Sequence, residues 1–133
     1  MLSMKDNRNN ILAEMVAQIP EIVYGDSGNN EKFQNEVLRP ILKFQHDVFI
    51  QYMASKFRQI GIDHKKLNPS ELRNKITASL SKDQKIRNQL LGMVLGLMSG
   101  DQLSRYFQNE QEFRKRIFSM LKERIIDGLE TKF

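Results

Sequence analysis

Two histidines, His46 and His64, are the only imidazoles in this 133-residue chain, and they stand eighteen positions apart. Neither belongs to an HExxH or any other metal-ligand spacing, so no metal site is expected. His46 sits in Gln45-His46-Asp47, with Arg39 two helical turns earlier. A general base needs a carboxylate that faces it, and neighbours on a helix do not face one another, so Asp47 does not orient His46 directly. The chain has no cysteine, which removes thiol nucleophiles, iron–sulfur ligation and Cys-type zinc sites together. No GxGxxG, P-loop or GxSxG sequence occurs, and Gly25 with Gly28 is too isolated to cradle phosphate. Glu31 with Glu36, or Asp26 with Asp63, would become a carboxylate pair only if the fold joined them. Catalysis through a familiar motif is therefore disfavoured, and no catalytic residue or cofactor is expected.

Charge offers more. The net charge is +5, and all of it lies in the second half. Residues 1–61 hold 7 basic and 7 acidic side chains, residues 62–133 hold 14 and 9. Lys82, Lys85 and Arg87 gather near the start of one predicted helix, and Arg114, Lys115, Arg116, Lys122 and Arg124 decorate the last. Cations complement the C-terminal end of a helix dipole, so a group at an N-terminal end is misplaced for stability alone. Lys82, Lys85, Arg114, Lys115 and Arg116 are candidate phosphate contacts, and nucleic acid is a possible partner. A helix-turn-helix over 101–120 is disfavoured by Tyr106 and Asn109, where the tight turn prefers small residues and glycine.

Apolar residues recur at helical spacing nearly throughout and no useful stretch alternates with period two, which predicts an all-α fold. The pattern gives a first helix over 7–19 that buries Ile11, Leu12, Met15, Val16 and Ile19 and stops at Pro20. The run Tyr24 to Asn30 is rich in turn formers and predicts the one interior loop. A second helical stretch covers 30–60, with Pro40 either kinking it or starting a new helix. Its wide stripe, Ile41, Leu42, Phe44, Val48, Phe49, Tyr52, Met53, Phe57 and Ile60, marks the principal core helix, ended by a left-handed cap at Gly61. Asn68-Pro69-Ser70-Glu71, Ser81 to Gln84, Ser99 to Gln102 and Asn109 to Glu112 each read as helix starts. The segment 86–98 is apolar on several sides and reads as a central, buried helix, with Gly92 and Gly96 four apart for close helix packing. The last helix carries Phe113, Ile117, Leu121, Ile125 and Leu129 as its stripe.

The blocks Leu38-Arg39-Pro40-Ile41-Leu42-Lys43-Phe44-Gln45 and Ile86 through Gly96, in that order, followed by Lys122-Glu123-Arg124-Ile125, resemble a family of short all-helical bacterial proteins, some of which bear the label glyoxalase. The resemblance covers most of the chain and directs attention to Arg39, Pro40, Lys43, Gln45, Arg87, Asn88, Gly92 and Gly96. The residues do not support the label: the two histidines stand at no metal-ligand spacing, no strand pattern exists and the HxHxDH motif is absent, so no catalytic residue carries over. Arg39, Lys43, Gln45 and His46, with Arg87 and Asn88, are the candidate binding residues. They are expected to form a polar cluster where two helices cross at Gly92 and Gly96, with Asp47, Asp83 or a bound anion offsetting the buried charge.

The expected architecture is one compact bundle of five or six helices spanning 1–133, with residues 1–6 and 130–133 fraying. The longest apolar run is half the length a bilayer needs, so no transmembrane segment is expected. The polar N-terminus and lack of cysteine predict a cytoplasmic protein. The leading expectation is a non-catalytic interaction module that binds a protein partner or itself; the alternatives are a nucleic-acid binder and an enzyme with an unfamiliar site.

Overall fold

The computed structural model describes residues 4–17 and 29–131. All secondary structure among these residues is helical: α1 is Met4–Ala17, α2 covers residues 29–44, α3 is His46–Gln59, α4 is Pro69–Lys82, α5 is Gln84–Leu95, α6 is Gly100–Gln108 and α7 is Glu110–Thr131. A short 3-10 turn, His64–Lys66, joins α3 to α4. That makes seven helices where the sequence predicts five or six. The difference arises because the stretch 30–60 divides in two. Pro20, Ile19 and the loop residues 24–28 lie outside the described residues.

The division does not fall at Pro40. Immediately before the proline the helix widens into a π turn, Gln34–Leu38, in which the Arg39 N–H bonds to the Gln34 carbonyl five residues back. A π turn of this kind absorbs a proline, which cannot donate and crowds an ordinary preceding turn, so α2 runs on through it. The break comes at Gln45, with φ −92° and ψ 6°. No helix breaker stands there. The Gln45 side-chain amide donates across the fold to the Met93 carbonyl at 3.3 Å, so a tertiary contact accompanies the break.

Local chemistry fixes several ends as the sequence predicts. Gly61, at φ 79°, closes α3: its N–H bonds to the Arg58 carbonyl and the Ile62 N–H to the Phe57 carbonyl, the paired bonds of a Schellman motif. Asn68 with Glu71 and Ser99 with Gln102 form reciprocal capping boxes. Two starts differ. Helix α4 continues through Ser81, whose hydroxyl bonds back to the Thr77 carbonyl, and it is Asp83 that caps α5 by accepting from the Ile86 N–H. Asn109 turns its side-chain amide to Asn30 instead of capping α7.

Helix α7 organises the core. Its predicted stripe, Phe113, Ile117, Leu121, Ile125 and Leu129, is buried throughout, joined by Phe118 and Ile126. It packs on α3, α4, α6 and the π turn of α2. Gly128 is where α7 meets α3 most closely: a Cβ built there would lie 2.3 Å from Ile50 Cδ1 and 2.7 Å from its Cγ1. Close backbone approach thus belongs to Gly128 and not to the Gly92–Gly96 pair. Both of those glycines are exposed, and nothing lies within 4 Å of a Cβ on Gly92. Helix α5 is accordingly peripheral rather than central, burying one face through Ile86, Leu90 and Val94.

Helix α1 departs furthest from expectation. No described side chain of it is buried, and Ile11 is 49% exposed. It is held by polar contacts instead, Arg8 donating to the Met98 and Gly96 carbonyls at 2.9 Å each. Gly96 caps the C-terminal end of α5 and Met98 lies in the turn just beyond it, where a guanidinium both satisfies the acceptors and complements the dipole.

An aromatic cluster fills the space between α2, α6 and α7. Phe33 and Phe113 have ring centroids 4.4 Å apart, and Tyr106 lies over Phe113 at 6.3 Å and edge-on to Phe107 at 5.1 Å. The Tyr106 hydroxyl is buried and has no hydrogen-bond partner among the described residues. Burial raises its pKa above the ordinary phenol value, with the Glu110 charge adding to the effect.

Three substitutions test this packing by chemical denaturation. Gly128→Ala should destabilise by about 1–3 kcal/mol, because the buried Ile50 side chain has to move. Gly92→Ala should stabilise by up to about 1 kcal/mol, since alanine relieves the helical cost of glycine where space is open. Tyr106→Phe should stabilise by about 1 kcal/mol by removing an unsatisfied buried hydroxyl.

Candidate functional site

Helix α3 has two apolar sides. Phe49, Ile50, Met53, Ala54 and Phe57 point into the core and are buried. Val48 and Tyr52 belong to the predicted stripe but lie on the other side, where Val48 is 47% exposed; Phe44, one turn before Val48, is 38% exposed. Ile60 is 69% exposed because it caps the helix beside Gly61 and leaves the packed face. The stripe is therefore wider than the core it serves, and its excess remains on the surface.

Of that excess, Val48 and Tyr52 form part of one wall of an open cleft of about 1180 Å³ between α3 and α5. Val48, Gln51, Tyr52 and Ser55 line the α3 side; Gln89, Gly92 and Met93 line the other. The lining is mostly apolar carbon with a few amides, and its two charged residues are Asp47 and Lys56. The Tyr52 hydroxyl donates to Gln89 Oε1, tying the walls together, and the Lys56 ammonium lies 5.6 Å from the Tyr52 ring centroid. Partial burial, then the charge of Asp83, raises the Tyr52 pKa. Gly92 keeps the α5 wall low because it places no side chain in the cleft. An open apolar trough of this kind suits a helix or another extended apolar surface; small-molecule sites more often enclose their ligand.

The sequence-predicted binding residues separate into different places. Gln45 reaches α5 through Met93, beside the cleft. Arg87 takes a packing role: its guanidinium lies 4.1 Å over the Phe118 ring and donates to the Leu80 carbonyl at the end of α4. Asn88 accepts from Gln84 one turn earlier on an exposed face. Arg39 is exposed and donates to Asn35 one turn earlier at 3.0 Å, whereas His46 meets Arg124 of α7 at 3.4 Å. Lys43 is exposed. The expected cluster of Arg39 with Arg87 at a Gly92–Gly96 crossing is thus not assembled.

Among the candidate phosphate contacts, Arg114 pairs with Glu110 at 3.7 Å and Arg116 with Glu112 at 2.9 Å, both one turn apart on α7. Arg116 also donates to Gln34 at 2.9 Å. Lys82, Lys85 and Lys115 are exposed. Arg73 of α4 makes a two-pronged bridge to Glu123 of α7, which lowers the Glu123 pKa and raises that of Arg73. His64 is buried in the 3-10 turn. No group of three His, Asp or Glu side chains comes together among the described residues.

Sequence reasoning missed Arg124, Gln89 and Gly128. Arg124 was visible only as one more cation on a basic helix; its meeting with His46 depends on how α7 crosses α3. Comparisons of the chain with protein-family models, curated proteins and solved structures gave no match.

Replacing Arg87 by Met keeps the stem and removes the charged head. The expected cost is about 1–3 kcal/mol, from the lost cation–π contact and the unsatisfied Leu80 carbonyl, read as a lower midpoint in urea.

Proposed function

We propose that the protein is a non-catalytic interaction module, acting in the cytoplasm, whose partner surface is the cleft between α3 and α5. The observation that carries this reading is the exposed Val48 and half-buried Tyr52 one turn later, which line the cleft with Met93 and the bare Gly92 wall, while exposed Phe44 stands one turn before Val48 outside the lining. Apolar side chains lined up along a helix bury surface only against a second body, and an apolar helix face from a protein partner fits that spacing. A second copy of this chain is one such partner. Met93 adapts readily to different contact shapes.

The second reading, nucleic-acid binding through the basic C-terminal half, draws on the exposed Lys82, Lys85 and Lys115. Three other cations of that half, Arg73, Arg114 and Arg116, are engaged with Glu123, Glu110 and Glu112. That weakens the basic patch as a polyanion surface. Light scattering with absorbance at two wavelengths separates the two readings. The interaction module predicts a peak whose 260/280 ratio is the same at low and physiological salt; nucleic-acid binding predicts a high ratio that falls as salt rises.

The direct test places a photo-crosslinking amino acid at Val48 or Met93, with exposed Ser104 as control, in cells that make the protein. Adducts at the two cleft positions and none at Ser104 are expected. An adduct of twice the 15.6 kDa chain mass identifies self-association, and any other mass a different partner. No adduct at the cleft, or equal labelling at Ser104, would remove the reading.

A further inference from the structure

The two charged residues that line the cleft carry opposite signs and stand at opposite ends of its α3 wall. Asp47 is in the first turn of α3 and Lys56 in the last, so about 13 Å separates them along the helix axis. Neither forms an ion pair among the described residues. Between them the wall is apolar or already bonded. Val48 is exposed, the Tyr52 hydroxyl is engaged with Gln89, and Gln51 and Arg58 donate to the Ser55 hydroxyl at 3.0 and 3.2 Å. Beyond the two ends, exposed Phe44 stands one turn before Val48 and exposed Ile60 one turn after Lys56.

Read in reverse, this strip is its own complement. When a second α3 is laid antiparallel about a two-fold axis between Gln51 and Tyr52, Asp47 of each copy faces Lys56 of the other. Val48 then rests on the small, bonded Ser55 of the second copy, and Phe44 at one end reaches Ile60 at the other, so apolar groups exposed on each copy cover one another. A parallel pair would instead set Asp47 against Asp47 and Lys56 against Lys56, which repels. Opposed helix dipoles favour the same antiparallel sense. The α5 wall leaves room for the second helix, whose axis has to come within about 8–10 Å of α3. Nothing lies within 4 Å of a Cβ built on Gly92, which faces that space. Because the same patch is used on both copies, the contact closes as a pair and leaves no free end.

We propose that the occupant of the cleft is a second copy of this chain, held by an antiparallel, two-fold pairing of α3 in which Asp47 and Lys56 form reciprocal ion pairs. This rests on the cleft being a partner surface, and it adds which partner and in what register.

The test follows the full chain by sedimentation over a concentration series, which separates the 15.6 kDa monomer from its dimer. The unmodified chain should dimerise. Asp47→Lys and Lys56→Asp each put like charges together at both ends, and each should weaken dimerisation about tenfold or more. Mixing the two variants should restore it, since every pair in the mixed dimer is again of opposite sign. A loss caused by poorer folding would not be rescued by mixing. The register has its own readout, because the chain contains no cysteine. Under mild oxidation Gln51→Cys, beside the axis, should join to itself; Ser55→Cys should not, but should join to Val48→Cys. A chain that stays monomeric up to about 1 mM overturns the proposal. So do single reversals that dimerise like the unmodified chain, a mixture that fails to restore pairing, or a Ser55→Cys chain that joins to itself. If the chain is monomeric while photo-crosslinks at Val48 and Met93 appear at another mass, the cleft remains a partner surface for a different protein; if those are absent too, both readings fall.

Discussion

The contact between Gly128 and Ile50 is the constraint on which the rest of the arrangement depends. With no side chain at 128, α7 lies against α3 along the buried Ile50. That approach seats the long apolar stripe of α7 against the inner face of α3, and it carries His46 and Arg124 into contact at the same junction. It also decides which side of α3 is spent on the core. A helix presents a limited arc to a neighbour, so residues rotated away from Ile50, Val48 and Tyr52 among them, are left facing outward with α5 beside them. The cleft and the basic junction are thus two sides of one packing decision.

Helical periodicity made much of this legible in the sequence. The α7 stripe, the Gly61 cap and the Asn68 and Ser99 capping boxes follow from residue spacing and local hydrogen bonding, and the structure places them as expected. What failed was whatever depended on which neighbour a face meets. The segment 86–98 is rich in Leu and Met on several sides, and it reads as central. In the fold only the Ile86–Leu90–Val94 line is fully buried along α5, because α7 holds the centre. Gly92 and Gly96 carry the spacing of a close-packing pair, yet the glycine that fills that role is Gly128, a single residue with no pattern around it.

The candidate sites show the same limit. A stripe that is too wide for the core was visible as a stripe, but periodicity cannot say which residues of it remain outside. Gln45 looked like one of several polar residues on a long helix; it marks a break because its amide finds Met93, forty-eight positions away. Arg124 had no sequence signal beyond its charge, since a meeting of α3 and α7 has no local spacing to betray it. Arg87, by contrast, was prominent in sequence and turned out to be engaged with Phe118 and the end of α4.

The attachment of α1 has a dynamic consequence. Its Arg8 contacts span about ninety positions of sequence, and none of its described side chains is fully buried. Releasing the Arg8 contacts exchanges two charge-assisted hydrogen bonds for water, so this helix detaches at lower free energy than the remainder unfolds. Its amides should therefore exchange with solvent deuterium well before those of α7. During folding the order reverses: the helices around α7 assemble through their own apolar contacts, and α1 arrives afterwards, closing a long loop onto carbonyls that are already fixed in place.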